Sequence, residues 1–435
     1  MPWVLLVAGV VLALMTVPAL YAVHHWTIVF PAFLLSMLGT GMAGWWLVLV
    51  GATTVALVAL GGLAAWPGWI GLALVALALG GLVRQAFVAR AGADEFDRAL
   101  AERVADRVRK RRAPRTVVLP WSMRDVAVER ITNIRYADGA GRRHLLDVYR
   151  PAGECDGAPV VLQIHGGGWT VGTKDTQGRP LMNRLATAGW ICVAANYRLS
   201  PRVRWPDHLV DAKRALAWVR EHIAEYGGDP ARVVVTGGSA GGHLAAMVAL
   251  TVDDERYQPG FEHVDTSVSA AIPMYGAYDL GEIFGRFHRG LGRRIAGWMG
   301  SIVVGSTPSE DLAPYIDASP IAHVSGKTCP FLVVHGTIDN LVPVTQARRF
   351  VAMLRDVGTD VTYVELAGAP HAFDVFHSPW EHASTTGIEW WLGSIAGLPP
   401  VPTAASVRTD AALGRSAVAA PATTDPTTTV RTAPS

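Results

Sequence analysis

Two regimes of hydrophobic patterning divide the chain. Through residue 83 the apolar residues follow no period and are interrupted by no Asp, Glu, Lys or Arg. A stretch apolar all round has no polar face to turn toward water, and it reads as membrane-spanning helix. A hydrocarbon core of ~30 Å takes about 20 helical residues to cross. Residues 3–23 supply one span, and the long uncharged run after Thr27 must then be broken. Trp66-Pro67-Gly68-Trp69 places two helix breakers between two interface-seeking indoles. Residues 28–65 are still too long for one crossing at ~1.5 Å per residue. Two short helices turning near Gly41 to Trp46 fit, which predicts four spans near 3–23, 28–44, 46–65 and 69–84. Three spans is the alternative, because the turn at Gly44-Trp45 offers almost no polar residue to the headgroups. A cleaved signal peptide over 1–25 is disfavoured by the missing basic leader and by the further apolar spans downstream.

Beyond residue 84 the pattern acquires charge. Arg84, Arg90, Arg107, Arg109, Lys110, Arg111, Arg112 and Arg115 form a basic flank, which by the positive-inside rule places the rest of the chain in the cytoplasm. Within this linker, residues 86–120, the four-residue spacing of Phe96, Leu100, Val104 and Val108 predicts a helix with one apolar stripe. Such a stripe suits either an anionic membrane surface or the face of a neighbouring domain.

From about residue 128 short β-branched runs alternate with helical periods. Strands are predicted at 160–164, 191–196, 233–236, 268–274, 331–334 and 361–366, and helices at 207–226, 240–251, 345–357 and 381–396. Apolar strands alternating with helices imply an α/β domain whose mostly parallel sheet is covered on both faces. The preceding runs 131–136 and 144–149 alternate in period two around Asp138-Gly139-Ala140-Gly141 and predict an antiparallel hairpin at one edge. A Gly- and Arg-rich stretch at 280–320 interrupts the alternation and is expected to form a lid. The Ala-, Thr-, Pro- and Ser-rich residues 399–435 read as a disordered tail.

Composition sharpens this division. The chain has 435 residues and a net charge of +2. Residues 84–120 carry ten basic against five acidic side chains, whereas the part beyond 120 carries 28 against 31. The α/β domain has no basic stripe, so nucleic acid is not an expected partner. Three scattered cysteines, Cys155, Cys192 and Cys329, suggest neither a disulfide framework nor a zinc site, and are expected to be small buried side chains.

The chemistry sits where predicted strands end. The strand 233–236 runs into Gly237-Gly238-Ser239-Ala240-Gly241 and then an Ala-rich helix, the strand–turn–helix setting in which G-x-S-x-G exposes a nucleophilic hydroxyl. The strand 160–164 ends in His165-Gly166-Gly167-Gly168-Trp169, whose backbone amides are suited to one half of an oxyanion hole, with Ala240 N–H as the other half. His165 itself suits a structural hydrogen bond. A serine needs a base, and the base needs a carboxylate to hold its tautomer. The order Ser, acid, His points to the late histidines, and His371 lies just past the strand 361–366. His377 and His382 read as surface residues, and His243 as packing. Asp339, in the loop after the strand 331–334, is the favoured acid, with Asp279 the alternative.

These residues resemble the α/β-hydrolase superfamily and, within it, bacterial carboxylesterases and lipases similar to hormone-sensitive lipase. The likeness rests on His165 to Trp169, on Asn196-Tyr197-Arg198-Leu199-Ser200-Pro201, on Gly237 to Gly242, and on Asp339 and His371, across residues 128–397. A membrane segment ahead of such a domain is similar to some actinobacterial lipase and esterase proteins. The resemblance implies metal- and cofactor-free hydrolysis of carboxylic esters through an acyl-serine intermediate. Ser239 would be nucleophile, His371 base and then acid, Asp339 the orienting carboxylate, and the amides of Gly167, Gly168 and Ala240 the oxyanion donors. Two departures stand out. Gly238 occupies a position where the family often has an acid, a pattern closer to a feruloyl-esterase-like branch. Asp339-Asn340-Leu341-Val342-Pro343 replaces the common Asp-Pro-Leu. The expected partners are an apolar or lipid-like ester and membrane lipids, in a multi-pass membrane protein. A peptidase or acyltransferase on the same triad, or a silent membrane-tethered binding module, are the competing readings.

Overall fold

The computed structural model describes residues 1–25, 27–101, 103, 127–153, 155–282, 297, 300–326, 328–395 and 397–398. The expected tail at 399–435, most of the basic linker beyond Leu100 and the middle of the expected lid lie outside these residues. Those described belong to one compact unit, Met1–Val401.

Eight strands form one sheet: β1 (Val128–Arg135), β2 (Leu145–Pro151), β3 (Ala158–Ile164), β4 (Ile191–Ala195), β5 (Gly228–Gly238), β6 (Ala270–Met274), β7 (Phe331–Gly336) and β8 (Val361–Leu366). Their spatial order is β1-β2-β4-β3-β5-β6-β7-β8. β2 runs antiparallel to β1 and β4, and every other pairing is parallel. The period-two pair is thus the expected edge hairpin. Strands β3, β4, β6 and β7 are buried along their whole length because helices cover both faces, while β8 at the other edge alternates.

Side-chain alternation splits the core in two. Val160, Leu162 and Ile164 face α6 (Asp207–His222), α7 (Ala240–Leu250) and α9 (Val344–Asp356). On the opposite face Val161, Cys192, Ile272 and Leu332 meet α5 (Arg179–Thr187) and α10 (Pro379–Leu392). The sequence pattern does not reveal α5, which is only nine residues long and begins in a Gly-Arg-Pro turn. A short helix, α8 (Ala313–Asp317), lies in the interrupted stretch. Cys192 is buried as expected, but Cys155 and Cys329 are partly exposed and all three are free thiols.

Ahead of the sheet stand four apolar helices: α1 (Pro2–Leu20), α2 (Val29–Gly41), α3 (Ala43–Leu57, continued by a π-helical turn to Gly62) and α4 (Trp66–Leu100). The turn between α2 and α3 falls at Met42, whereas Trp66-Pro67-Gly68-Trp69 is the first turn of α4 and the chain breaks just ahead of it, after Gly62. Three have the length and composition to cross a membrane, Pro2–Leu20, Ala43–Gly62 and Trp66–Leu100. α2 has 13 residues, about 20 Å at ~1.5 Å each, which falls short of a hydrocarbon core of ~30 Å. The three-span count is therefore the one these lengths favour. α1 and α4 run parallel, since Gly9 abuts Gly71 backbone to backbone while Thr16 and Leu20 abut Gly81.

α4 does not stop at its first charges. Its last turns carry Ala89, Phe96 and Leu100 into the core shared with α5 and α10. Gly92 lies against the Trp380 ring and Phe96 against Gly387. Of the two uses open to the apolar stripe, its described part covers the α/β domain.

Candidate active site

Ser239 is the residue between β5 and α7, at φ 59° and ψ −122°, a strained conformation that lifts its hydroxyl clear of the sheet. The turn closes only because strand and helix touch: a Cβ at Gly241 would come within 2.1 Å of the Ile164 carbonyl oxygen.

Two loops from other strand ends converge on this hydroxyl. His371, in the loop after β8, has Nε2 2.8 Å from Ser239 Oγ and Nδ1 2.7 Å from Asp339 Oδ2. With Nδ1–H donated to the carboxylate, Nε2 accepts from the serine hydroxyl. Asp339 is 1% exposed. Its other oxygen accepts from the amides of Leu341 and Val342, each at 2.8 Å. Burial alone would push this carboxyl's pKa up, but His371 and His335 outweigh it and hold the pKa well below the usual value. His335 Nε2 lies 3.2 Å from Asp339 Oδ2 and 2.9 Å from the Val342 carbonyl. Sequence reasoning missed this histidine, and its one signal was its place four residues ahead of the acid. Asp279, the alternative acid, lines the same cavity but is anchored through its amide to Gln346 Oε1 at 3.1 Å, and His371 Nδ1 is taken by Asp339.

The glycine run after β3 forms the wall opposite. Gly166, Gly167, Gly168 and Trp169 line the cavity together with Ser239 and Ala240. His165 points away: Nδ1 donates to the Gly166 carbonyl at 2.7 Å and the ring stacks on Tyr197. Burial lowers its pKa to about 4, so it stays neutral and structural. His243 is likewise packing, between Trp169 and Trp205, with Nε2 donating to the Ala318 carbonyl at 2.6 Å. His377 pairs with Glu381 at 3.1 Å, and His377 and His382 are half-buried rather than fully exposed.

A buried polar relay behind the serine had no motif to announce it. Gln177 Oε1 accepts from Gly166 N–H at 2.6 Å, and Gln177 Nε2 donates to Tyr275 Oη at 2.6 Å. The Tyr275 hydroxyl in turn donates to Asp374. The Tyr275 ring stands edge-on to His371, with centroids 4.8 Å apart. Burial raises the Asp374 pKa to about 6. This relay accounts for Gly238, because a Cβ there would sit 2.1 Å from Tyr275 Oη and 2.8 Å from Gln177 Nε2. The space beside the serine is filled by tyrosine and glutamine, and the carboxylate reaches the neighbourhood from residue 374.

The cavity has a volume of about 670 Å³ and is lined mostly by apolar side chains, within the range of small-molecule sites. Leu280, Val303, Val304 and Tyr315 come from the interrupted stretch, so its described parts do wall the site. Phe30, Phe33 and Met37 come from α2.

Comparison with known proteins points the same way. Residues 146–354 match the family described as BD-FAE. The probable carboxylic ester hydrolase LipM of Mycobacterium tuberculosis is 48% identical over 273 residues, 61% of this chain and 62% of that protein. Esterase LipQ of the same organism is 44% identical over 269 residues, again 61% and 62%. The matched region therefore spans less than two thirds of these relatives. Among solved structures, butyrate-bound esterase Est2 of Thermogutta terrifontis aligns with a TM-score of 0.53 and 28% identity, covering 64% of this chain and 97% of that one.

Proposed function

The chain carries an α/β-hydrolase domain related to bacterial carboxylesterases, and from that premise we propose that it is a membrane-anchored serine carboxylesterase or lipase acting on apolar esters. The observation that carries this reading is the continuous chain of hydrogen bonds from Ser239 Oγ through His371 to Asp339, opening into an apolar cavity beside the glycine run.

In the first step the Ser239 oxygen attacks the ester carbonyl carbon and its proton passes to His371 Nε2. The carbonyl oxygen becomes an anion, which the amides of Gly167, Gly168 and Ala240 receive. Each such donor typically contributes ~10²–10³ in rate. His371 returns the proton to the leaving alkoxide, giving the alcohol and an acyl-serine. Water, deprotonated by the same imidazole, then releases the acid and restores the serine. Asp339 holds the imidazole in the tautomer that accepts and stabilises the imidazolium that forms.

Anchoring is supported by the outer surface of the N-terminal helices. Among the described residues, all but four of the exposed large hydrophobic side chains fall within the first 87, a density that a water-facing surface does not carry. The basic flank supports a cytoplasmic α/β domain.

Membranes containing wild type or Ser239→Ala, treated with a fluorescent fluorophosphonate, test the proposal. The wild type should label and the variant should not. A folded wild type that takes up no label sinks it. Hydrolysis of p-nitrophenyl esters of rising chain length then separates esterase from lipase behaviour.

A further inference from the structure

One wall of the catalytic cavity is not made by the α/β domain. Phe30, Phe33 and Met37 lie at positions i, i+3 and i+7 of α2, one face of a helix, and all three line the cavity that holds Ser239 and His371. The Phe33 ring stands edge-on to the His371 ring, with centroids 5.6 Å apart.

This wall is fastened at both ends. Downstream, Gly41 abuts the Phe376 ring. Upstream, the last turn of α1 and the segment that joins it to α2 are tied to the acid loop. Asn340 Nδ2 donates to the Pro18 carbonyl at 3.3 Å, the Val23 amide donates to Asn340 Oδ1, and His24 Nε2 donates to the Asp339 carbonyl at 2.8 Å. A detachable anchor has no reason to grip the residue that orients the catalytic histidine.

The outer side of the same helix looks the other way. Leu34 is 48% exposed there, and Phe30, at the rim between cavity and outer side, is 44% exposed, alongside the exposed apolar surfaces of α1, α3 and α4. α2 also sits beside the end of α1 nearest the α/β domain, with Gly39 against Ala19. A helix too short to cross, apolar on its outer side and placed at the domain end of the crossing helices, belongs at the boundary between acyl chains and headgroups.

Resting on the serine-esterase reading, we infer that α2 is the acyl-binding wall of the site and that the substrate is a long-chain carboxylic ester dissolved in the bilayer. It enters sideways past Phe30, lays its acyl chain along Phe33 and Met37, and presents its carbonyl to Ser239. The chain then passes from hydrocarbon to an apolar wall without crossing water, which a cavity reached from the aqueous side would require.

The full chain in phosphatidylcholine vesicles, treated with a hexadecyl fluorophosphonate bearing a terminal diazirine, tests this directly. Ser239 Oγ bonds to phosphorus as fluoride leaves and the hydroxyl proton passes to His371. On illumination the diazirine loses dinitrogen and the carbene inserts into the nearest C–H bond. Cross-linked peptides should map to residues 29–41. Phosphonylated Ser239 with cross-links confined to residues 303–315 overturns the inference and leaves the esterase reading standing. Failure to phosphonylate Ser239 overturns both. A second measurement uses Met37→Trp, which shortens the wall. Its kcat/KM for p-nitrophenyl palmitate should fall roughly tenfold or more relative to the acetate ester, the scale of a steric change in an apolar pocket. An unchanged ratio in the folded variant counts against the acyl wall.

Discussion

At the scale of single residues, the site combines two buried carboxylates pushed in opposite directions. Asp339 is held charged by the two imidazoles and two amides that face it. The hydroxyl that Asp374 faces offsets too little of its burial, which raises its pKa from 3.8 to about 6. Asp339→Asn offers an amide where the imidazole needs an acceptor and stabilises the wrong tautomer. The kcat for p-nitrophenyl esters should drop about 10⁴-fold with the fold intact. Asp374 gives a stability signature instead. Between roughly pH 4 and 6 the folded state keeps the proton that the unfolded state has lost, so stability falls as pH rises through that window and levels off above it. Asp374→Asn removes the titration, and its thermal midpoint should vary less over the window than that of the wild type. A parallel pair of curves would show that this carboxyl does not titrate there. Asp339 has the reverse sign: its contribution is present above ordinary carboxyl pKa values and is lost as acid reaches its lowered one. Gly238→Asp should destabilise the protein, because its side chain would displace Gln177 from Gly166 and Tyr275 from Gln177.

At the scale of elements, the decisive one is α4, which is at once a candidate span and a layer of the α/β domain. Phe96 is completely buried against Gly387 on α10. Phe96→Ala should cost about 3–5 kcal/mol, the usual range for emptying an aromatic site, read as a lowered unfolding midpoint in detergent micelles. Were the helix merely resting on the domain, the midpoint would hardly move. The two halves of α4 also show what could and could not be read from the amino acids. The stripe of Phe96 and Leu100 was visible because charges surround it, but its partner was not, since an apolar stripe fits lipid and protein equally. α2 was legible as a helix between Gly and polar breaks. Its inward face carries the helix's two hydroxyl residues, Ser36 and Thr40, but that face could not be assigned from the sequence, because two small polar residues suit a helix–helix seam in lipid as well as a protein core. Ser239, Asp339 and His371 were legible for the opposite reason: each follows a β-branched run, and parallel strands deliver all such loops to one edge of the sheet. Gln177, Tyr275 and Asp374 meet at that same edge, but each stands alone in the sequence, with no glycine pattern or fixed spacing to flag it.

At the scale of the whole molecule, helix directions constrain orientation. Because α1 and α4 run parallel, with Trp3 packed edge-on to Trp66 at one end and Asn340 gripping Pro18 at the other, Met1 and the α/β domain lie at opposite ends of the helical layer. An even number of spans would have put them on the same side. Three spans with α2 at the boundary satisfy both this geometry and the basic flank at Arg84 and Arg90, which under the positive-inside rule would put the domain on the cytoplasmic side. The prediction is therefore asymmetric. An epitope placed ahead of Met1 should be cut by protease added outside intact cells, while residues 128–395 resist until the membrane is permeabilised. Protection of both termini would mean that α2 crosses after all, and digestion of the α/β domain from outside would reverse the whole layer. Either result bears on the substrate too, because the leaflet that α2 touches is the one from which an ester reaches Ser239.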